Sequence, residues 1–217
     1  MEKELNILTN RHGLLSEKQS LLLIQYIDEI FKINKRQNLI SRKLTREKLF
    51  KQCFLPAIFA LPYFKNSSKV LDIGSGSGLP GIILAIVYPN ISFLLVEKKH
   101  KKADFLYYIK EKLNLNNISI QNINIESLSQ DLKFDTITSQ AVTNIAEILK
   151  FSIKNLDKSG QILLFKGKRE VILNEIQLIN NTWKNMEIKL IDLFEFYQYN
   201  NFSNIENNLV IIKSKFS

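Results

Sequence analysis

Three alternating glycines, Gly74, Gly76 and Gly78, stand between two carboxylates, Asp72 and Glu97. Residues of these types in this order can hold a nucleotide-like ligand. Glycine accepts positive φ and leaves amide groups open that a Cβ would shield. The stretch Val70–Gly81 reads V-L-D-I-G-S-G-S-G-L-P-G. It joins an apolar run to a tight loop and then to Pro80, which suits the first turn of a helix. The next apolar run, Phe93–Val96, ends in Glu97, where a carboxylate can accept both hydroxyls of an adenosine ribose.

Two patterns overlap in the loop. Gly76-x-Gly78-x-x-Gly81 fits the dinucleotide fingerprint. Asp72-x-Gly74-x-Gly76-x-Gly78 resembles the first motif of S-adenosylmethionine-dependent methyltransferases. Both ligands contain an adenosine ribose, so the loop alone leaves the choice open.

The elements that must position these residues follow from hydrophobic spacing. Residues 2–12 read as a short helix stopped at Gly13, and Ser16-x-x-Gln19 is a capping box that opens a longer helix. Leu23, Ile24, Ile27 and Phe31 give that helix one apolar stripe. After a polar connection over Asn34–Ser41, Thr45 caps a third helix carrying Leu49, Phe50, Cys53 and Phe54, which Pro56 and Pro62 bend or end. Residues 1–65 thus read as a basic helical cap, and residues 66–217 as the ligand-binding domain.

From there strands at about 69–73, 92–97, 118–122, 134–139 and 161–166 alternate with helices at about 80–88, 99–113, 142–155 and 169–183. Such alternation builds a parallel, doubly wound sheet. Met186–Tyr197 and Asn208–Lys213 have no room for a crossover between them and must pair antiparallel. The expected fold is α/β, a seven-stranded Rossmann-like sheet of the class I methyltransferase type with a C-terminal antiparallel pair. A dinucleotide-dependent dehydrogenase is expected to continue into a second substrate domain, which 217 residues do not accommodate. That tips the expected ligand towards S-adenosyl-L-methionine.

Composition narrows the setting. With 45% hydrophobic residues the chain is expected to fold, and no apolar run approaches the roughly 20 residues of a membrane span. Met1-Glu2-Lys3-Glu4 carries both signs, unlike a secretory or transit signal, so a cytoplasmic protein without membrane partners is expected. The single cysteine excludes an internal disulfide and a cysteine-based metal site, and no metal is expected. A net charge of +9 favours a polyanion, although AT-rich coding can also enrich lysine. The clustering says more. Lys32, Lys35, Arg36, Arg42, Lys43, Arg46, Lys48 and Lys51 face only Glu47 among residues 32–51, and Lys98, Lys99, Lys101 and Lys102 follow the ribose carboxylate.

At the site itself, Gly74, Gly76 and Gly78 are expected to cradle the methionine part, and Asp72 to anchor loop amides or the amino group. Glu97 is expected on the ribose. Ile125 can pack on adenine and Glu126 can accept its exocyclic amine, although an ordinary loop fits the spacing equally well. Ser139-Gln140-Ala141 ends strand four, where substrate-facing residues project. That stretch lacks the Asn/Asp-Pro-Pro-aromatic sequence typical of exocyclic amine methylation. Methylation at pyrimidine carbon needs a cysteine nucleophile, and Cys53 is expected in the cap, far from the strand ends. A ring nitrogen such as guanine N7 attacks without first losing a proton, so positioning suffices and no catalytic side chain is assigned.

The chain resembles the glucose-inhibited division protein B family, bacterial small-subunit rRNA guanine-N7 methyltransferases. The likeness spans about residues 20–213 and is carried chiefly by Asp72-Ile-Gly-Ser-Gly-Ser-Gly-Leu-Pro-Gly81. Weaker matches are Asn38-Leu39-Ile40-Ser41, Phe134-Asp135, Lys166-Gly167 and Leu209–Lys213. The resemblance implies cofactor contacts at Gly74, Leu79, Ile125 and Glu126. Its implied substrate is a guanine in the 16S rRNA hairpin loop near the decoding centre, met as rRNA or as a small-subunit precursor, by a monomeric enzyme. The chain departs from the family pattern at Gln140, where Arg is usual, and at Cys53 and Pro56-Ala57, where His and Asp-Ser are usual. Methylation of another RNA or a protein, or a catalytically weakened RNA-binding role, stays open on these residues.

Overall fold

The computed structural model describes residues 14–140, 142–179, 182–193 and 207–215. The expected helix over 2–12, Ala141 and the end of the Met186–Tyr197 run lie outside them. Helix α1 (Glu17–Asn34) opens with both halves of its capping box: Ser16 Oγ accepts from the Gln19 amide, and Gln19 Oε1 accepts from the Ser16 amide. Thr45 caps α2 (Arg46–Leu49), which runs into a π-helical turn over Phe50–Phe54 and then α3 (Leu55–Phe59). Pro56 therefore does not end the helix. It stands just after the π turn in a continuous helical run, where its missing N–H leaves preceding carbonyls without a helical donor and the preceding turn widens.

The sheet contains β1 (Lys69–Ile73), β2 (Ser92–Val96), β3 (Ile118–Gln121), β4 (Phe134–Gln140), β5 (Leu156–Lys166), β6 (Met186–Asp192) and β7 (Asn208–Ser214). Its order is β3-β2-β1-β4-β5-β7-β6, seven strands. Strands β1 to β5 are parallel, and β7 inserts antiparallel between β5 and β6. This is the expected class I methyltransferase architecture. Strand β5 starts earlier than its hydrophobic run suggests, because Leu156 pairs with Phe134 across a register shift. Helix α4 (Gly81–Val87) begins one residue later than expected, so Pro80 precedes it, after a cis peptide from Leu79. The remaining helices are α5 (His100–Lys112), α6 (Ile145–Ser152) and α7 (Arg169–Ile179).

Strand alternation divides the core. Val70, Phe93, Leu95, Leu163 and Phe165 face one way, into a cluster shared with α1, α3, α4 and α5. Leu71, Ile73, Leu94, Val96, Ile162 and Leu164 face the other way, against α6 and α7. The helical N-terminal segment has no separate core: Leu23, Tyr26, Phe54 and Phe59 are buried in the same cluster as Val70 and Ile82. Tyr26 carries this contact furthest. It is fully buried, its ring lies 5.4 Å from that of Phe54, and its hydroxyl donates to the Ser77 carbonyl at 2.5 Å. An N-terminal helix thereby holds the glycine loop from below.

Tyr26→Phe keeps the ring and removes the donor, leaving the Ser77 carbonyl buried without it. Unfolding in urea is expected to show a loss of about 1–3 kcal/mol, with the m-value unchanged; an unaltered midpoint contradicts this role.

Candidate active site

Strand β1 delivers the chain into the loop at Ile73, whose carbonyl accepts from Ser139 Oγ at 2.9 Å. Ser139 thus ties the neighbouring ends of β1 and β4 together rather than facing a ligand. The Gly74 and Ser75 amides both donate to the Val96 carbonyl, at 2.8 and 3.1 Å. Two carboxylates then fix the turn. Glu97 Oε2 accepts from the Gly76 amide at 2.8 Å while Oε1 accepts from Lys99 at 2.7 Å, and Asp72 Oδ2 accepts from Gly81 at 3.2 Å. Gly74 and Gly78 take φ of +65° and +93°, and space excludes side chains there as well. A Cβ on Gly74 would sit 2.7 Å from Val142 Cγ2, and one on Gly78 would sit 2.3 Å from Ile82 Cγ1.

Beyond the carboxyl ends of the strands lies a cavity of about 740 Å³, where open α/β sheets bind ligands. Of the residues singled out from sequence, Gly74, Gly76, Leu79, Glu97, Ile125 and Glu126 line it. Asp72 and Gly78 stand behind the wall. Ile125 begins a short 3₁₀ turn over Ile125–Ser127, and Glu126 accepts from Asn124 Nδ2 at 2.9 Å. Glu97 is 5% exposed, and each of its oxygens has a lone pair beyond the loop amide it accepts.

Asp72 is fully buried, and its Oδ1 has no hydrogen-bond partner. Burial pushes its carboxyl from 3.8 up to about 7; the neighbouring Ser75 hydroxyl, which donates to the Asp72 main-chain carbonyl, and the Gly81 amide on Oδ2 oppose the rise, and the nearby Glu97 charge adds to it. Burial, followed by the Asp72 charge, likewise raises Tyr26.

Several wall residues were not singled out as ligand contacts. Lys98, Lys99 and Lys102 form one rim, and Val142, Thr143 and Phe151 close the side beyond β4. Their signal lay in position, directly after β2 and β4, since no pattern marks their types. Cys53 is a correction. Although it belongs to the N-terminal helices, the π turn carries it into the cavity wall beside Gln140. Burial pushes its thiol up to about 12, so it is no nucleophile at neutral pH, for a reason other than distance.

Gln140 and Pro56 turn out to be linked. A proline at 56 has no N–H for the carbonyl of residue 52, its α-helical acceptor. Gln140 Nε2 donates to that carbonyl at 3.3 Å, and Asn207 Nδ2 reaches the adjacent Lys51 carbonyl at 3.4 Å. Both strand ends thereby hold the widened turn over the cavity.

With this geometry in hand, comparison with known proteins is decisive. A family profile described as "rRNA small subunit methyltransferase G" matches residues 19–198. The chain belongs to that family. It is 38% identical over 180 residues to the ribosomal RNA small subunit methyltransferase G of Brachyspira hyodysenteriae, covering 82% of this chain and 87% of that one. The Francisella tularensis protein of the same name is 33% identical over 202 residues, 93% of this chain and 91% of the relative. Among solved structures, a methyltransferase from Geobacter sulfurreducens superposes with a TM-score of 0.62 at 14% identity, covering 96% and 95% of the two chains. The plantazolicin methyltransferase BpumL, solved with SAH, superposes at 0.58 and 16% identity, covering 92% and 100%. At those identities the structures establish the fold. In this chain the glycine loop, Glu97 and the end of β4 converge on the cavity.

Because the folded-state value of Asp72 is raised, protonation favours the folded protein. Its contribution is complete below 3.8 and disappears as pH climbs through about 7, worth on the order of 4 kcal/mol. Free of ligand, the protein is expected to lose stability between pH 5 and 8, and Asp72→Asn to lose less. Urea midpoints at the two pH values check this, and equal slopes for the two proteins contradict it.

Proposed function

We propose that this protein transfers the methyl group of S-adenosyl-L-methionine to N7 of a guanine in small-subunit rRNA, in the hairpin loop near the decoding centre. Family membership supports the rRNA acceptor, and the cavity supports the donor. The single observation carrying the donor assignment is the pairing of the glycine cradle with Glu97: a turn kept free of side chains at one end and a buried carboxylate with spare lone pairs beside it. Asp72 fits the same reading from behind the wall, where its Oδ2 accepts from the Gly81 amide and fixes the end of the glycine turn. Ile125 supplies an apolar face for adenine, with Glu126 at its edge.

When bound, S-adenosyl-L-methionine supplies an electrophilic methyl on a sulfonium. The guanine N7 lone pair forms the new N–C bond as the C–S bond breaks, and the sulfur leaves neutral with the electron pair. No proton moves, so the site needs no general base. Cys53 and Tyr26, both pushed upward by burial, are unsuited to that role in any case. The chain's work is orientation: Gly74 and Gly76 place the methionine end, Glu97 fixes the ribose, and Val142 and Thr143 bound the side from which the acceptor approaches.

Electrostatics support a polyanionic acceptor. Lys101 and Lys102 sit in the first turn of α5, with no acidic residue there. Positive charge at a helix N-terminus opposes the helix dipole, so this cluster weakens its own helix. Lys98, Lys99 and Lys102, which line the cavity, form no ion pair with a described residue. Free cations on the rim of the cavity suit RNA phosphates. We further infer a cytoplasmic protein acting as a monomer; no helix among the described residues is long and apolar enough to cross a membrane.

N7-methylguanine in small-subunit rRNA, measured by mass spectrometry in cells with and without the gene, tests the reaction; an unchanged content contradicts it. Glu97→Gln is expected to weaken binding of S-adenosylhomocysteine about 10- to 100-fold by calorimetry.

A further inference from the structure

A second, smaller cavity of about 300 Å³ opens beside the first, and the two share Val142 and Thr143. It lies beyond the ends of β4 and β5, walled by Val142, Val171 and Ile172, with Lys166 at its base. Its size is at the low end for small-ligand pockets. Val142 and Val171 are 45% and 51% exposed, so two large apolar side chains face solvent at its mouth. A planar aromatic ligand would cover both.

Of the two lysines in the lining, Lys166 is the one withdrawn from solvent, beside the exposed Lys168. Its side chain is 14% exposed and held rigidly: Nζ donates to Glu175 Oε2 at 2.6 Å and to the Thr143 carbonyl at 3.1 Å. The same Glu175 oxygen accepts from the Ile145 amide at 2.9 Å, so one carboxylate fixes both the ammonium and the start of α6. An ammonium has three donors. Two are accounted for, and the third has no acceptor among the described residues. Pairing with Glu175 also cancels the charge of Lys166 at the point of contact, which matters because a purine methylated at a ring nitrogen becomes cationic; the other lysine of the lining, Lys168, is exposed to solvent.

Resting on the reading of the site as an rRNA methyltransferase, we propose that this second cavity receives the acceptor base and that Lys166 selects a 6-keto purine by donating its third N–H to O6. Guanine presents an acceptor at that position, and adenine presents an amino donor that an ammonium cannot satisfy. The base then lies against Val142 and Val171, with its five-membered ring towards the shared wall and the methyl donor.

The test measures binding of guanosine, inosine and adenosine 5′-monophosphates to the full chain saturated with S-adenosylhomocysteine, by saturation-transfer NMR. All three share one phosphate, so differences report on the base, and inosine against adenosine isolates position 6. The wild type is expected to prefer both keto nucleotides about tenfold over adenosine. Lys166→Met is expected to remove the preference and Lys166→Arg to keep it, while affinity for S-adenosylhomocysteine stays within twofold, because Lys166 does not line the larger cavity. Should Lys166→Met fold poorly, the paired variant Lys166→Met with Glu175→Gln removes both charges together and must also lose the preference. Equal or undetectable binding of all three nucleotides by wild type overturns the proposal, as does a preference that survives in folded Lys166→Met. Those outcomes leave the rRNA assay untouched, so the base-selection proposal can fail while methylation of small-subunit rRNA stands.

Discussion

The site depends on a turn that three glycines make possible and two buried carboxylates hold open. Glycine lowers the cost of positive φ but does not choose one conformation. The choice comes from acceptors placed on adjacent strands: Asp72 takes the Gly81 amide and Glu97 takes the Gly76 amide. Parallel pairing of β1 with β2 aligns Asp72 with Leu95 and Ile73 with Val96, bringing Glu97 beside the loop. The sheet register is therefore what places the Glu97 carboxylate next to the glycine cradle. Burying Asp72 carries a cost, because desolvation disfavours its charged form.

The N-terminal helices do more than cover the sheet. Tyr26 reaches the loop from α1, and the π turn before α3 brings Cys53 into the cavity wall. The widened turn exists where Pro56 withdraws a donor, and Gln140 and Asn207 supply replacements from strand ends. Pro56 and Gln140 thus compensate each other: the proline exposes a carbonyl, and a glutamine is of the right length and polarity to cap it. An arginine at 140 would bring an additional charge into the same space.

The alternation of strands with helices, the seven-stranded sheet and the carboxylate after β2 were legible because each leaves a periodic or terminal mark in the chain. Val70 and Leu71 could be assigned to opposite faces from alternation alone. Glu97 was legible because it ends an apolar run. Other features left no local mark. Cys53 comes to the cavity through a helix irregularity, which depends on a proline three residues later and on partners 87 and 154 positions further along. The role of Asp72 behind the wall depends on where α4 starts, and hydrophobic spacing misplaces that boundary by a residue. Tyr26 reads as one more apolar position until the tertiary contact with Ser77 appears. Long-range hydrogen bonds between unlike elements are what a single sequence shows least.

A structure of the protein with S-adenosylhomocysteine bound tests the central claim most directly. The account predicts both ribose hydroxyls within hydrogen-bonding distance of Glu97, the amino acid end against Gly74 and Gly76, and adenine on Ile125. A ligand seated elsewhere, or a ribose turned away from Glu97, would contradict it.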